Sequence, residues 1–351
     1  MAERLRVGVV MGGRSSEREI SLETGRNVFN TLDRSRFDPA AFYMDAHGGL
    51  WEIGLPLVVQ NTTRDIEERL EGDAELIPYE ALPDRVDFVY IGLHGKYGED
   101  GCLQGLLELL DLPYSGSGVL GSALGMDKQV QRLLLSSAGI DVPATVVVAD
   151  AVWRSAPSDI EAEVERHLGY PCVVKPSREG CSTALSVVRE PAELAPAIEE
   201  ALRWDARALV EEMLDGTEVT VAVLGNDDPT AYPPTETPPR GDFLTVEEKF
   251  LPGEGVNITP ARLPEETLDR VREVAVRAFR VLGLSAFARM DMYVTDDGRI
   301  VLGEPNTLPG SSPSSTIFLG PMEEGIGPMD LLTRVIELSL GAHEAKKGPL
   351  G

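Results

Sequence analysis

The sequence predicts a mixed α/β and α+β fold that opens on a doubly wound α/β unit. Three stretches carry this reading. Leu5–Met11 is a short apolar run of buried-strand type, followed by Gly12-Gly13-Arg14-Ser15-Ser16 and an amphipathic helix over Arg18–Leu32. Cys172–Val174 and Ala184–Val188 read as strands joined by a polar, glycine-containing loop. Ala286–Val294 and Arg299–Gly303 read as a hairpin turning at Thr295-Asp296-Asp297-Gly298, where Asp-Gly is a strong turn signal. At 351 residues the chain is long enough for two or three domains. We expect three, spanning 1–120, 121–225 and 226–351.

Composition narrows the function. The net charge is −26, from 58 acidic and 32 basic residues, which argues against nucleic acid as a partner. No apolar run is long enough to span a bilayer. The opening MAERLRVGVVMGG goes straight into a strand and lacks the features of a signal peptide, so a cytoplasmic protein is expected. Three cysteines without metal-ligand spacing fit a reducing compartment. Six of the 32 basic residues are lysines. Lys346 and Lys347 lie in the expected tail, while Lys96, Lys128, Lys175 and Lys249 are internal. An arginine-rich chain that keeps lysine at four internal places points to compact charges for phosphate oxygens.

Along the chain, Ser15 or Ser16 is placed to cap the first helix. Glu17 reads locally as a carboxylate favoured by the helix dipole. Phe37–Met44 is a second strand, 45–85 reads as irregular and acidic, and Val86–Leu93 is a third strand. His94-Gly95-Lys96-Tyr97-Gly98-Glu99-Asp100-Gly101 follows, with three glycines that let backbone approach a ligand. Read alone, His94 is a satisfied loop histidine. A helix over Cys102–Leu110 comes next, then a helix carrying Met126-Asp127-Lys128 towards Ala138. Pro143 begins a new unit, with a helix over Ser158–Leu168. Lys175 ends the strand that follows, and its loop to Thr183 offers lysine, hydroxyls such as Ser182, and backbone N–H groups to phosphates. A helix over Pro191–Trp204, a strand edge at Leu209–Leu214 and a strand at Val219–Leu224 follow. Residues 226–260 are loop-like and carry Val246-Glu247-Glu248-Lys249-Phe250, which reads as a lid. Helices over Glu265–Leu282 and Met329–Leu340 complete the chain.

Side-chain alternation puts Arg289 and Asp291 on one face of the hairpin, and Glu304 and Asn306 on one face of its second strand. Where those faces coincide, Asp291, Glu304 and Asn306 converge as hard oxygen ligands suited to Mg²⁺ on nucleotide phosphates. Pro305 is expected to end the ladder there.

With these pieces assembled, the chain resembles the D-alanine–D-alanine ligases of the ATP-grasp superfamily over nearly its whole length. The motifs are GGRSSEREIS at 12–21, HGKYGEDG at 94–101, LPYSGSG at 112–118, MDK at 126–128, VVKPSREG at 173–180, EEKF at 247–250, ARMD at 288–291 and EPNTLPG at 304–310. The resemblance implies an ATP-grasp fold behind the N-terminal α/β domain, with ATP between the last two domains. It implies joining of two D-alanines through an acyl phosphate, for peptidoglycan precursors. Lys128, Lys175, Ser182 and the lid's Lys249 then contact ATP phosphates, and Glu211, Leu214 and Glu218 hold the adenosine. Asp291, Glu304 and Asn306 bind two Mg²⁺ or Mn²⁺ ions. Arg289 and the Gly310 backbone steady the acyl phosphate and tetrahedral intermediate. Glu17 holds the first substrate's ammonium near His94, and Ser315 the second substrate's carboxylate. Family members are often homodimers.

The departures from the family pattern gather at the acceptor. Family members commonly have serine where this chain has Cys181, and a lid tyrosine where it has Phe250. Those two hydroxyls link with the glutamate matching Glu17. Cysteine is a weak donor and phenylalanine has none. Leu244-Thr245-Val246 lacks the lid's usual aromatics and acid, and Ala184-Leu185 stands where the phosphate loop usually has a glycine. In this family phenylalanine at the lid position accompanies use of a hydroxy acid such as D-lactate. The alternatives are therefore a sister ligase with another acceptor, and a nucleotide-binding paralogue without turnover.

Overall fold

The computed structural model describes residues 3–180, 183–238 and 256–346. The expectations for Cys181, Ser182, Lys249 and Phe250 lie outside the described residues.

The first sheet follows from short, largely apolar runs. Its strands are β1 (Leu5–Gly12), β2 (Phe37–Met44), β3 (Leu50–Ile53), β4 (Ala74–Ile77) and β5 (Phe88–Ile91), in spatial order β4-β3-β2-β1-β5. β2, β1 and β5 run parallel, and β3 and β4 extend the sheet antiparallel. Residues 45–85 are thus not irregular. They hold β3, β4 and several one-turn helices, whose short lengths leave too little periodicity to read. The first helix spans Arg18–Thr31 with Glu17 in the N-cap position. Neither serine caps it. Ser15 Oγ accepts from the Glu17 N–H at 3.1 Å and donates to the His94 carbonyl at 2.7 Å, which ties the helix mouth to the next loop.

The second sheet is antiparallel, with order β6 (Thr145–Ala149), β9 (Arg207–Glu212), β7 (Cys172–Pro176) and β8 (Ser186–Val188). Helices Pro157–His167 and Pro191–Ala201 pack on one face. The expected helix through Met126-Asp127-Lys128 is two, Val119–Met126 and Lys128–Ser137. Asp127 leaves helical geometry between them and caps the second by accepting from the Val130 N–H.

The third sheet, also antiparallel, runs β11 (Thr230–Ala231), β10 (Gly216–Gly225), β13 (Ala286–Thr295), β14 (Ile300–Asn306), with β12 (Thr235–Glu236) also on β10. The β13–β14 register shifts between Asp291 and Met292, so Gly303 is an extra residue. That bulge sets the chemistry of the sheet. Met290, Met292, Val294, Ile300 and Leu302 share the core against helix Glu265–Val281. Without the bulge, Glu304 would share their face; with it, Glu304 stands opposite Asp291 and Asn306 opposite Arg289. Pro305 does not end the ladder, since it pairs with Met290. β14 is an edge strand, where a proline without N–H is tolerated.

Helix Pro328–Lys346 returns to the N-terminal unit. Its Leu331, Leu332, Val335 and Ile336 join the core of the first sheet. Lys346 is not in a loose tail. It ends the helix, pairs with Glu108 and lies 5.0 Å from the Tyr114 ring centroid.

Gly25 controls how closely the first helix approaches β1, because a Cβ there would overlap the Met11 Cβ. Alanine gains about 1 kcal/mol in helix propensity, whereas overpacking costs about 1–3 kcal/mol. Gly25→Ala is therefore expected to lower the urea midpoint, a net loss of about 1 kcal/mol, with the m-value unchanged. A midpoint at or above the parent's would mean that the helix and strand have room to part.

Candidate active site

Two antiparallel sheets face each other across a cleft with about 1190 Å³ of space, open to solvent. On β7 and β9 the alternation that buries Cys172, Val174, Ala208 and Val210 in their own core turns Val173, Lys175 and Glu211 to the cleft. On the opposite sheet, Glu218, Asp291, Tyr293 and Glu304 face it. Leu185, Val187, Met213 and Leu214 add an apolar wall.

Charge is concentrated at one end. Lys175 Nζ lies 2.8 Å from Glu211 Oε2, and Arg132 Nε donates to Glu211 Oε1 at 2.7 Å. Arg132 also donates to the carbonyl of bulged Gly303 at 3.3 Å, joining the two sheets. Lys128, with 2% of its side chain exposed, reaches Glu304 Oε1 and the Glu179 carbonyl, both at 2.7 Å. Burial lowers the Lys175 ammonium from its usual value; Glu211 opposes this, while Arg132 and Lys128 add to it. Burial pushes the Glu211 carboxyl up, but Lys175 and Arg132 outweigh it and hold the group below its ordinary value. Burial, and then Glu218, push the Tyr293 hydroxyl well up, so it stays protonated and donates to Glu218 Oε2 at 3.2 Å.

At Asp291, Glu304 and Gly180 the cleft meets a second pocket of about 730 Å³, whose wall includes Glu17, His94, Arg289, Asn306 and Gly310. Arg289 donates to both Asp291 oxygens, at 2.9 and 2.8 Å. Asn306 Nδ2 donates to Asp291 Oδ2 at 3.1 Å, and Thr220 donates to Oδ1 at 3.2 Å. Glu17 is buried where backbone passes close on two sides. A Cβ on Gly95 would overlap its Oε2, and one on Gly180 would come within 2.8 Å. His94 Nε2 lies 2.8 Å from Thr24 Oγ1, and Thr24 Oγ1 accepts from the Ser311 N–H at 3.3 Å. On its other side, His94 Nδ1 lies 3.5 Å from Glu99 Oε1.

The expected residues thus converge: Lys128, Lys175, Glu211, Leu214 and Glu218 on the first pocket, Glu17, His94, Arg289, Asn306 and Gly310 on the second, and Asp291 and Glu304 on both. Ser315 does not join them. It is buried beside Ser312, 3.0 Å between hydroxyls, and is absent from either wall among the described residues. Arg132, Tyr293, Thr24 and Glu179 escape the sequence reading. Arg132 stands four residues after Lys128 on one helix face, and Tyr293 two after Asp291 on one strand, so periodicity could have found both. Nothing local marks Thr24 or Glu179. Ala184, at the family's glycine position, has φ +51°, a left-handed conformation that glycine adopts without strain.

Family models described as the N-terminus and the C-terminus of D-ala D-ala ligase match residues 6–117 and 134–337. The D-alanine–D-alanine ligase of Geobacillus thermodenitrificans is 35% identical, over 98% of this chain and 98% of its own. Among solved structures, a D-Ala:D-Ser ligase from Enterococcus faecalis aligns with TM-score 0.83 at 31% identity, over 96% of this chain and 100% of its own. The Bacillus anthracis D-alanine–D-alanine ligase complexed with ATP aligns with TM-score 0.75 at 28% identity, over 98% and 100%. With both family models matched along one chain, and whole-length relatives above 30% identity, the chain belongs to the D-alanine–D-alanine ligase family.

Proposed function

We propose that this chain is an ATP-dependent ligase that joins D-alanine to a second D-alanine, working in the cytoplasm on peptidoglycan precursors. The observation that carries this reading is the junction at Asp291 and Glu304, where a cleft lined by buried Lys128 and half-buried Lys175 opens into a pocket holding Glu17 and Arg289. No helix among the described residues is long and apolar enough to cross a membrane. We expect three domains at the boundaries read from the sequence, with the cleft between the last two.

In this reading the carboxylate of one D-alanine takes the γ-phosphoryl group of ATP, releasing ADP. The amine of the second then attacks the acyl carbon, and phosphate leaves as the peptide bond forms. Lys128 and Lys175 supply fixed positive charge at the phosphates. Glu211 is committed to Lys175 and Arg132, so its part is to aim the lysine, while Leu214 and Glu218 stand at the nucleoside wall. Glu17 takes the first substrate's ammonium, and Arg289 and the Gly310 N–H stabilise charge that develops at the acyl centre. His94, set between Thr24 and Glu99, shapes the wall of that pocket. Ser315 would need to turn towards the pocket to hold a carboxylate.

The residues present fit Mg²⁺ or Mn²⁺. Asp291, Glu304 and Asn306 offer oxygen donors on one sheet face, and each carboxylate already holds a cationic side chain, Arg289 or Lys128. When bound, two such ions neutralise phosphate charge during transfer. The role is tested by Glu304→Gln, expected to lower kcat about 100-fold or more while melting stays near the parent's. Full activity of that variant would sink the metal assignment.

The reaction is tested by ADP release with ATP, Mg²⁺ and D-alanine, alone and with D-lactate, with products identified by mass. D-alanyl-D-alanine from D-alanine alone supports the proposal. D-alanyl-D-lactate as sole product favours the second reading, which rests on Phe250 at the lid position. Nucleotide binding without turnover would point to the non-catalytic paralogue. If the lid residue sets the acceptor, Phe250→Tyr, which adds one hydroxyl, is expected to raise the ratio of D-alanine to D-lactate use about tenfold. An unchanged ratio would remove the lid from acceptor choice. A homodimer is the expected assembly, checked by light scattering.

A further inference from the structure

Lys96 is the one internal lysine to which the resemblance gives no role. It sits in the loop 94–101, whose backbone is fixed from within. The Gly95 N–H donates to Glu99 Oε2 at 2.9 Å, and the Tyr97 N–H to Asp100 Oδ2 at 2.8 Å. From this rigid base the Lys96 ammonium crosses to the unit of the second sheet. There it donates to the Trp204 carbonyl at 3.1 Å and pairs with the Glu179 carboxylate. Glu179 follows Lys175 in the loop after β7, and 8% of its side chain is exposed against 40% for Lys96. Its own carbonyl accepts from Lys128 Nζ, and Lys128 also holds Glu304. The next residue, Gly180, lies against Glu17.

We propose that Lys96 is a positioning residue: by gripping Glu179 it fixes the loop whose carbonyl aims Lys128 at the nucleotide phosphates. One surface cation thereby orders a buried one, through a carboxylate and its backbone. The inference rests on the proposed ATP reaction and deepens it, because it makes the N-terminal unit a contributor to nucleotide affinity. An ammonium suits the place, since its separate donors serve a carbonyl and a carboxylate together, where a planar guanidinium favours a single bidentate partner.

The test is a double-mutant cycle on the full-length enzyme with Lys96→Met, Glu179→Gln and the pair. Each single variant is expected to raise the KM for ATP about fivefold with kcat within about twofold, since it loosens the nucleotide's seat and leaves the reacting groups intact. The double variant is expected to match the singles, and Lys96→Arg to recover part of the loss. Parent KM should rise with salt more steeply than that of Lys96→Met. Additive effects in the cycle, an unchanged KM in Lys96→Met, or equal loss of kcat in every variant would overturn the proposal. A parent that binds the nucleotide but does not turn over would instead overturn the reaction itself. Binding of a non-hydrolysable ATP analogue, measured by calorimetry on parent and variants, separates the two failures.

Discussion

The site depends on one buried ion cluster, in which a single carboxylate, Glu211, serves two cations, Lys175 and Arg132. Removing charges from water is costly, and a buried pair seldom repays it in full. A cluster with one more cation than anion is less favourable still. The lowered basicity of Lys175 records that cost. The excess positive charge is nevertheless what a cleft for phosphate oxygens requires. A chain of net charge −26 repels anions at long range. On the proposed function it binds them where low dielectric and fixed geometry let a few cations outweigh that field. Arg132 makes the cluster mechanical as well as electrostatic, because its second contact is the carbonyl freed by the Gly303 bulge. The same bulge turns Glu304 to face Asp291. One extra residue in one edge strand thus sets the face that carries Asp291 and Glu304 and ties it to the cationic end of the opposite sheet.

Much of this is legible in the sequence because strands display their chemistry by alternation. Alternation alone pairs Arg289 with Asp291 on one face and Glu304 with Asn306 on another, and the bulged β13–β14 pairing makes the two faces one. The bulge itself is less legible. A glycine followed by glutamate and proline looks like the end of a strand, and only an edge position shows why the ladder continues through Pro305. The stretch 45–85 reads as irregular because strands of four residues show too few alternations to separate from loop. Long-range partners are the least legible of all. The contacts of Lys96 with Glu179 and of Thr24 with Ser311 join segments far apart in sequence, and no local pattern distinguishes those residues from solvated ones.

The distribution of apolar contact explains why so many of the site's contacts are ionic. The first sheet shares one core with helix Pro328–Lys346, so the two ends of the chain are held together by hydrophobic burial. The third sheet packs on helices Lys128–Ser137 and Glu265–Val281. The second sheet keeps a core of its own, drawn from residues between Val146 and Val210. What joins that unit to the rest is polar: Lys96 to Glu179, Arg132 to Glu211, Arg299 to Glu212, and Arg207 to Asp127. A seam of ion pairs differs from a packed core in what it permits. Core contacts are lost steeply when surfaces separate by a fraction of an ångström, whereas an ion pair can be exchanged for another with a group of like charge. On the proposed function a nucleotide enters between the second and third sheets, where Lys128 and Lys175 line the cleft. Lys128 and Lys175 now hold carboxylates of the protein; an anionic ligand offers them the same interaction at closer complement. Glu304, so released, stands on the face proposed for a divalent ion. Nucleotide and metal would then each make room for the other, which is the physical reason for placing opposite charges in contact at the mouth of an otherwise acidic protein's cleft.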